Sequence, residues 1–290
     1  MEESDSSSVP EFGDEKGILH PQEQARHRTL NRLHAGPAVG RFVEWYWAVR
    51  WDRRDQPAYV AEVLPHPSVN VTFEVTDTRT GAFVNGVCTK KFTRELTGAG
   101  WTFGVKFWAG GFGAFTGIDV GSFRDDVLPL ADVFDDAERL TDLVLSASDD
   151  QRRRAVVEAF LSEHLTAEDD PSYQLVLHIV GAIVTDRKLT RVDQLTEQFG
   201  VPVRTLQRLF RRYVGVGPKW VLRRYRLHDC AELLARGRTD ELAALAVKLG
   251  YFDQAHFSRE FSEEVGMAPL EYAAACAREG THVPAYAVRG

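Results

Sequence analysis

Four arginines and one glutamine fall within residues 203–214, VRTLQRLFRRYV. At 100° per residue, Leu206, Leu209, Phe210 and Tyr213 gather on one side of a helix. Arg204, Gln207, Arg208 and Arg211 gather on the other, with Arg212 beside them. A guanidinium fork matches guanine O6/N7 and a glutamine amide matches adenine, each good pair discriminating by about 1–3 kcal/mol. The spacing therefore assigns Arg204, Gln207 and Arg208 to base edges, and Arg211 or Arg212 to phosphate. The bland alternative is a solvated basic face making only backbone contacts.

The same pattern returns later. Setting VRTLQRLFRRYVGVGP (203–218) above QAHFSREFSEEVGMAP (254–269) aligns Leu206 with Phe257, Arg208 with Arg259 and Phe210 with Phe261. Val214, Gly215 and Pro218 meet Val265, Gly266 and Pro269. Upstream, LTEQFGV (195–201) matches LAVKLGY (245–251). Each copy reads as a helix, a glycine turn and a second helix with an outward arginine, which is a helix–turn–helix unit. In the second copy Ala255, Ser258, Arg259 and Ser262 face outward, Gln254 near the N-terminus is placed to reach a base or phosphate, and Glu260, Glu263 and Glu264 are expected to weaken its attraction for phosphate. Leu195, Phe199, Leu206, Phe210, Leu245, Leu249, Phe257 and Phe261 are the expected core, and Gly200 and Gly250 the expected positive-φ stops. Trp220 suits packing or DNA contact.

The elements that must hold these faces follow from the surrounding pattern. Thr190 and Asp193 read as a capping box opening the helix RVDQLTEQFG. Gly217-Pro218 opens a linking helix to about Arg236, roughly 28 Å long at 1.5 Å per residue. That approaches the roughly 34 Å between successive major-groove faces of B-DNA. Charge agrees with this placement. The chain carries −7 overall, yet residues 173–290 hold 17 Lys/Arg against 13 Asp/Glu, and 187–226 hold 11 against 2. Such asymmetry within one chain points to nucleic-acid contact in one half.

The stretch 173–275 resembles the double helix–turn–helix domain of AraC/XylS-type bacterial transcription regulators. The resemblance rests on A-x-x-x-G-[FY] at 246–251, F-x-R-x-F at 257–261 and G-x-x-P-x-x-[FY] at 266–272. RFVEWYWAVRW, LPHPSVNVTFEV and GVKFWAGGFGAFTG resemble the β-rich sensor domain that precedes such modules. The resemblance implies a sequence-specific regulator of double-stranded promoter DNA. It implies a small-molecule effector on the N-terminal domain, a homodimer, and RNA polymerase as partner if the protein activates.

The first half has β texture: AYVAEVL, SVNVTFEV, GAFVNGV and TFGVKFW are short β-branched or aromatic runs between turn formers. Five of the six tryptophans lie there. Trp45, Trp47, His66, Asn70 and Trp108 could line an aromatic effector pocket, or could simply pack a tryptophan-rich core. His66 has no second metal donor at ligand spacing beside it, and no metal or cofactor is expected. Cys88, Cys230 and Cys276 are odd in number and scattered, which fits a reducing compartment. With an acidic N-terminus unlike a secretory signal and no long apolar run, the expectation is a cytoplasmic protein without membrane contact.

The expected fold class is α+β: an N-terminal β-barrel/sandwich-like domain with flanking helices, then a C-terminal all-α domain with two helix–turn–helix units joined by a linker helix. Expected boundaries are 1–18 for a disordered acidic tail, 19–168 for the β-rich domain with its C-terminal helices, 169–280 for the DNA-binding domain and 281–290 for a tail. Two other functions stand beside the leading one. The β half could dimerise without an effector, or the chain could be an alkyl-transfer repair enzyme with Cys88 as nucleophile. Cys88 lies near lysines but lacks a proline-cysteine-histidine context, so no enzyme is expected.

Overall fold

The computed structural model describes residues 16–165, 170–239, 242–248, 250–251 and 253–281. Most of the expected acidic tail, the linker residues 166–169, the C-terminal tail from 282 and Leu249 lie outside the described residues, as does the side chain of Leu245.

A short helix α1 (Pro21–His27) leads into the strands β1 (Thr29–His34), β2 (Val43–Arg53), β3 (Tyr59–Val63), β4 (Asn70–Val75), β5 (Thr80–Asn85), β6 (Phe92–Leu96), β7 (Gly98–Phe107) and β8 (Val127–Pro129). Six of them form one antiparallel sheet in the order β1-β2-β7-β4-β5-β8, and β3 pairs with β6 as a separate ribbon. The sheet is open rather than closed into a barrel. The helix α3 (Ala137–Ser146) packs on β4 and β5. On the ribbon side, Ala61 and Leu96 pack with Trp51 of β2.

Both faces of β4 are consequently covered. Val71 and Phe73 enter the main core, while Thr72 and Glu74 are buried on the opposite face. Burial alone would raise the Glu74 carboxyl, but Arg94 at 2.6 Å and Arg79 at 2.9 Å hold its pKa at about 2. A carboxylate so deep in the fold needs both partners to remain charged.

Beyond the strands, the short helix α2 (Gly111–Thr116) follows β7, and α4 (Asp150–Glu163) follows α3. The remaining helices are α5 (Pro171–Thr185), α6 (Val192–Phe199), α7 (Val203–Leu209), α8 (Pro218–Ala235), α9 (Leu242–Lys248), α10 (Gln254–Val265) and α11 (Pro269–Thr281). A π-helical turn, Phe210–Val214, extends α7. Helix α5 starts at Pro171, where a missing N–H costs nothing, and Asp170 caps it by accepting from Ser172 and Tyr173.

One buried cluster runs from Leu33 and Phe103 in the sheet through Tyr173 and Ile179 to Leu206, Phe210 and Val221. A second joins Leu227, Phe257, Phe261 and Tyr272 to Leu19 and Leu64 from the N-terminal half. Each helical unit therefore shares apolar core with the β-rich half. The Tyr173 hydroxyl donates to the Arg41 carbonyl at 2.6 Å, and its ring stacks on Phe42.

Candidate nucleic-acid interface

Helix α6, the turn at Gly200 and the helix α7 with its π-helical extension make the first helix–turn–helix unit; α9, the turn at Gly250 and α10 make the second. Gly200 (φ 64°) and Gly250 (φ 80°) occupy the left-handed region that ends a helix sharply. The two reading segments, 203–214 and 254–265, correspond residue for residue to the repeat in the sequence. The linking helix α8 has 18 residues, about 27 Å at 1.5 Å each.

The cap of α6 differs from expectation. Gln194, not Asp193, reaches back, accepting from the Thr190 and Arg191 amides at 2.8 and 2.9 Å. The helix begins one residue later than Thr190 suggested, which moves its third position to Gln194. Asp193 is left to pair with Arg191 at 3.1 Å.

Leu206, Leu209, Phe210 and Tyr213 are buried, and Arg204, Gln207, Arg208, Arg211 and Arg212 are all exposed. Among the described residues, none of these four arginines has an ion-pair partner; Arg212 lies 5.5 Å from the Tyr213 ring centroid. In the second unit Gln254 and Arg259 are exposed and Ser258 is half-buried, while Phe257 and Phe261 are fully buried. Of the remaining expected core, Leu195 is buried and Phe199 half-buried against the main cluster. Trp220 also packs against that cluster, with the Arg224 guanidinium 4.6 Å from its ring centroid.

Four other arginines of 187–226 have structural employment that local sequence did not disclose. Arg223 pairs with Glu260 at 2.8 Å, and Arg224 pairs with Glu264 at 2.9 Å while donating to the Thr89 carbonyl at 2.8 Å. Arg226 donates to the Leu189 and Thr190 carbonyls, and Arg187 pairs with Asp229 at 3.4 Å. Two of the glutamates expected to repel phosphate are thus neutralised from α8. The reason is tertiary: Arg223 and Arg224 of α8 reach carboxylates of α10, where Glu260 is buried.

Both reading helices rest on the N-terminal half by their C-terminal ends. Gly113 of α2 approaches the Tyr213 backbone so closely that a Cβ would sit 3.3 Å from its Cα, and Val120 packs on Gly215. At the second unit, Lys91 donates to the Val265 carbonyl at 2.9 Å and to Glu62 at 2.5 Å. A cation there complements the negative end of the helix dipole. The N-terminal turns, with Arg204 and Gln254, stand exposed.

The expected effector residues are only partly brought together. Trp45 and Trp47 of β2 and Asn70 of β4 share one face of the sheet; the Trp47 indole donates to Asn70 at 3.1 Å. Gly104 of β7 lies beneath Trp47, where a Cβ would come within 2.1 Å of the ring. Lys106, which sequence reading missed, sits on this face 3.8 Å from the Trp45 ring centroid and 2.9 Å from Glu44. Trp108 is engaged elsewhere, donating to the Gly40 carbonyl at 3.0 Å. His66 meets His228 of α8 edge-on at 4.3 Å, and the two rings bond the Lys16 and Leu64 carbonyls. Burial, then Lys106, pushes the His66 pKa well down; burial, then Arg224, brings His228 to about 3. Both rings are therefore held neutral.

Comparison with known proteins matches residues 195–275 to a family described as a helix-turn-helix domain. This helical domain is similar to those of AraC-type regulators. Residues 31–129 match a family described as a domain of unknown function (DUF6597). The HTH-type transcriptional activator RhaS of Pectobacterium atrosepticum is 33% identical over 75 residues, 26% of each chain. The HTH-type transcriptional activator RhaR of Yersinia pseudotuberculosis is 36% identical over 93 residues, 32% of this chain and 30% of the relative. The match thus spans about a quarter to a third of these relatives' length. Among solved structures, ToxT from Vibrio cholerae O395, bound to (E)-4-(8-methylnaphthalen-1-yl)but-3-enoic acid, aligns at TM-score 0.39 and 12% identity, over 86% of this chain and 99% of that one.

Proposed function

We propose that this protein is a sequence-specific regulator of transcription that grips promoter DNA with both helix–turn–helix units of its AraC-type domain. The observation carrying this reading is the sorting of charge along 187–226. Arginines behind the reading helix are consumed by carboxylates and carbonyls, while Arg204, Arg208, Arg211 and Arg212 project together without an ion-pair partner among the described residues. Helix–turn–helix proteins read bases with the N-terminal residues of the second helix, and those turns are the exposed ones here. Gln254, Ser258 and Arg259 would make the second set of contacts.

The N-terminal half, in this reading, sets how the two reading helices are presented, because it seats both by their C-terminal ends. A small-molecule effector bound against Trp45, Trp47 and Asn70 would bias that presentation by differential affinity for two arrangements. A homodimer, contact with RNA polymerase and a cytoplasmic location belong to the same proposal. No described helix is long and apolar enough to cross a membrane.

The test is selection of bound fragments from the host genome, followed by titration of the selected duplex at several salt concentrations. A shared sequence among the fragments, with affinity falling as salt rises, supports the reading. Equal affinity for every duplex would refute it. Tryptophan emission read during titration of candidate metabolites separates an effector-controlled domain from one that only dimerises.

A further inference from the structure

A different chemistry lies where the N-terminal half meets the last helix. His20 immediately precedes α1, and Cys276 and Glu279 stand three residues apart on α11, hence on one helical face. The His20 Nδ1 is 2.6 Å from Oε1 of Glu279 and 3.9 Å from Sγ of Cys276. One donor atom from each of the three residues lies within 4.8 Å of the other two. Cys276 is 5% exposed, and the second carboxylate oxygen of Glu279 is buried with no hydrogen-bond partner among the described residues. A buried acceptor without a donor calls for a partner, and a bound cation is one that would satisfy it.

We propose that His20 Nδ1, Cys276 Sγ and a Glu279 carboxylate oxygen bind a divalent transition metal of the zinc class. Nitrogen, thiolate sulfur and oxygen together suit zinc and its neighbours, whereas magnesium and calcium take oxygen alone. Tetrahedral bonds of about 2.0–2.3 Å put nitrogen and sulfur about 3.6 Å apart, and nitrogen and oxygen about 3.4 Å apart. The present sulfur distance needs almost no change. The carboxylate must withdraw from its hydrogen bond with His20 by about 0.8 Å, or turn its unpartnered oxygen inward. Binding displaces the Cys276 thiol proton to solvent and takes His20 as the neutral ring with its proton on Nε2, which frees Nδ1 to ligate. Water completes the fourth position.

The ligands come from opposite sides of a domain contact. His20 belongs to the N-terminal half, and Cys276 and Glu279 belong to the helix that closes the second helix–turn–helix unit. A bound metal would pin that unit where Lys91 already holds it, as His228 holds the linking helix α8. This consequence rests on the DNA-binding reading; the metal site itself does not.

The experiment is a cobalt(II) titration of the full chain, reduced and free of DNA, so that failure of the DNA-binding reading leaves its result standing. One equivalent of cobalt should give a thiolate-to-metal charge-transfer band that zinc displaces. The band should persist in Cys88→Ser and vanish in Cys276→Ser. His20→Gln and Glu279→Gln, which keep all the thiols, should each weaken zinc at least about tenfold in competition with a chelator. A wild-type protein with no thiolate band, a band that survives Cys276→Ser, or unchanged zinc affinity in both glutamine variants would overturn the proposal.

Discussion

Replacing Arg208 by alanine tests the interface most directly, because the structure fixes what the change does not do. The side chain is exposed and makes no ion pair among the described residues, so its removal should alter folding stability by less than about 0.5 kcal/mol. If it reads a guanine, the cognate duplex loses about 1–3 kcal/mol, a factor of roughly 5–150 in Kd. The control is Arg226→Ala, which removes the same charge from the same basic stretch. Arg226 spans the Leu189 and Thr190 carbonyls, and leaving them unpaired should cost about 1–3 kcal/mol of stability. Fluorescence anisotropy on the selected duplex and on a scrambled one, beside urea melts of both variants, separates the two effects. Arg208→Ala should lose affinity for the cognate duplex and keep its melt; Arg226→Ala should melt early. Equal loss on both duplexes, with a shallower salt slope, would make Arg208 a phosphate contact. No loss at all would remove this face from the interface.

Arg211→Ala should weaken every duplex alike and reduce the slope of log K against log salt by about 0.9, one counterion's share, as read by anisotropy over a salt series. Gly104→Ala should drive a methyl into the Trp47 ring, break its bond to Asn70, shift tryptophan emission and cost about 1–3 kcal/mol in a thermal melt. Acid should weaken the fold through His66 and His228. Both stay neutral when folded, with His228 near 3, whereas the unfolded chain takes up protons near 6.5. Stability present above that value should therefore fall by about 1.4 kcal/mol per histidine for each pH unit below it. Urea melts from about pH 7 to 5 check this, and His228→Gln should flatten the profile.

Sequence disclosed what repeats and periods can encode. The duplicated units, the outward arginines 204, 208 and 211, the buried Leu206 and Phe210 and the left-handed glycines 200 and 250 all follow from neighbours within a turn or two. A helix face is a local property, because 3.6 residues per turn decides which side chains share it. Strand existence was legible in β3, β4, β5 and β7 for the same reason. The order of those strands was not, since pairing joins residues that no short window contains.

Tertiary structure alone decided which cations are available. Arg223, Arg224 and Arg226 resemble Arg208 in sequence, yet their partners lie 36 to 40 residues away, or 135 in the case of Thr89. The same holds for Lys106 against Trp45, for His66 against His228, and for His20 beside Cys276 and Glu279, separated by 256 and 259 residues. Periodicity places a side chain on a face; only the packing of distant elements sets what that face meets, and hence whether its charge is spent inside the fold or left for a ligand.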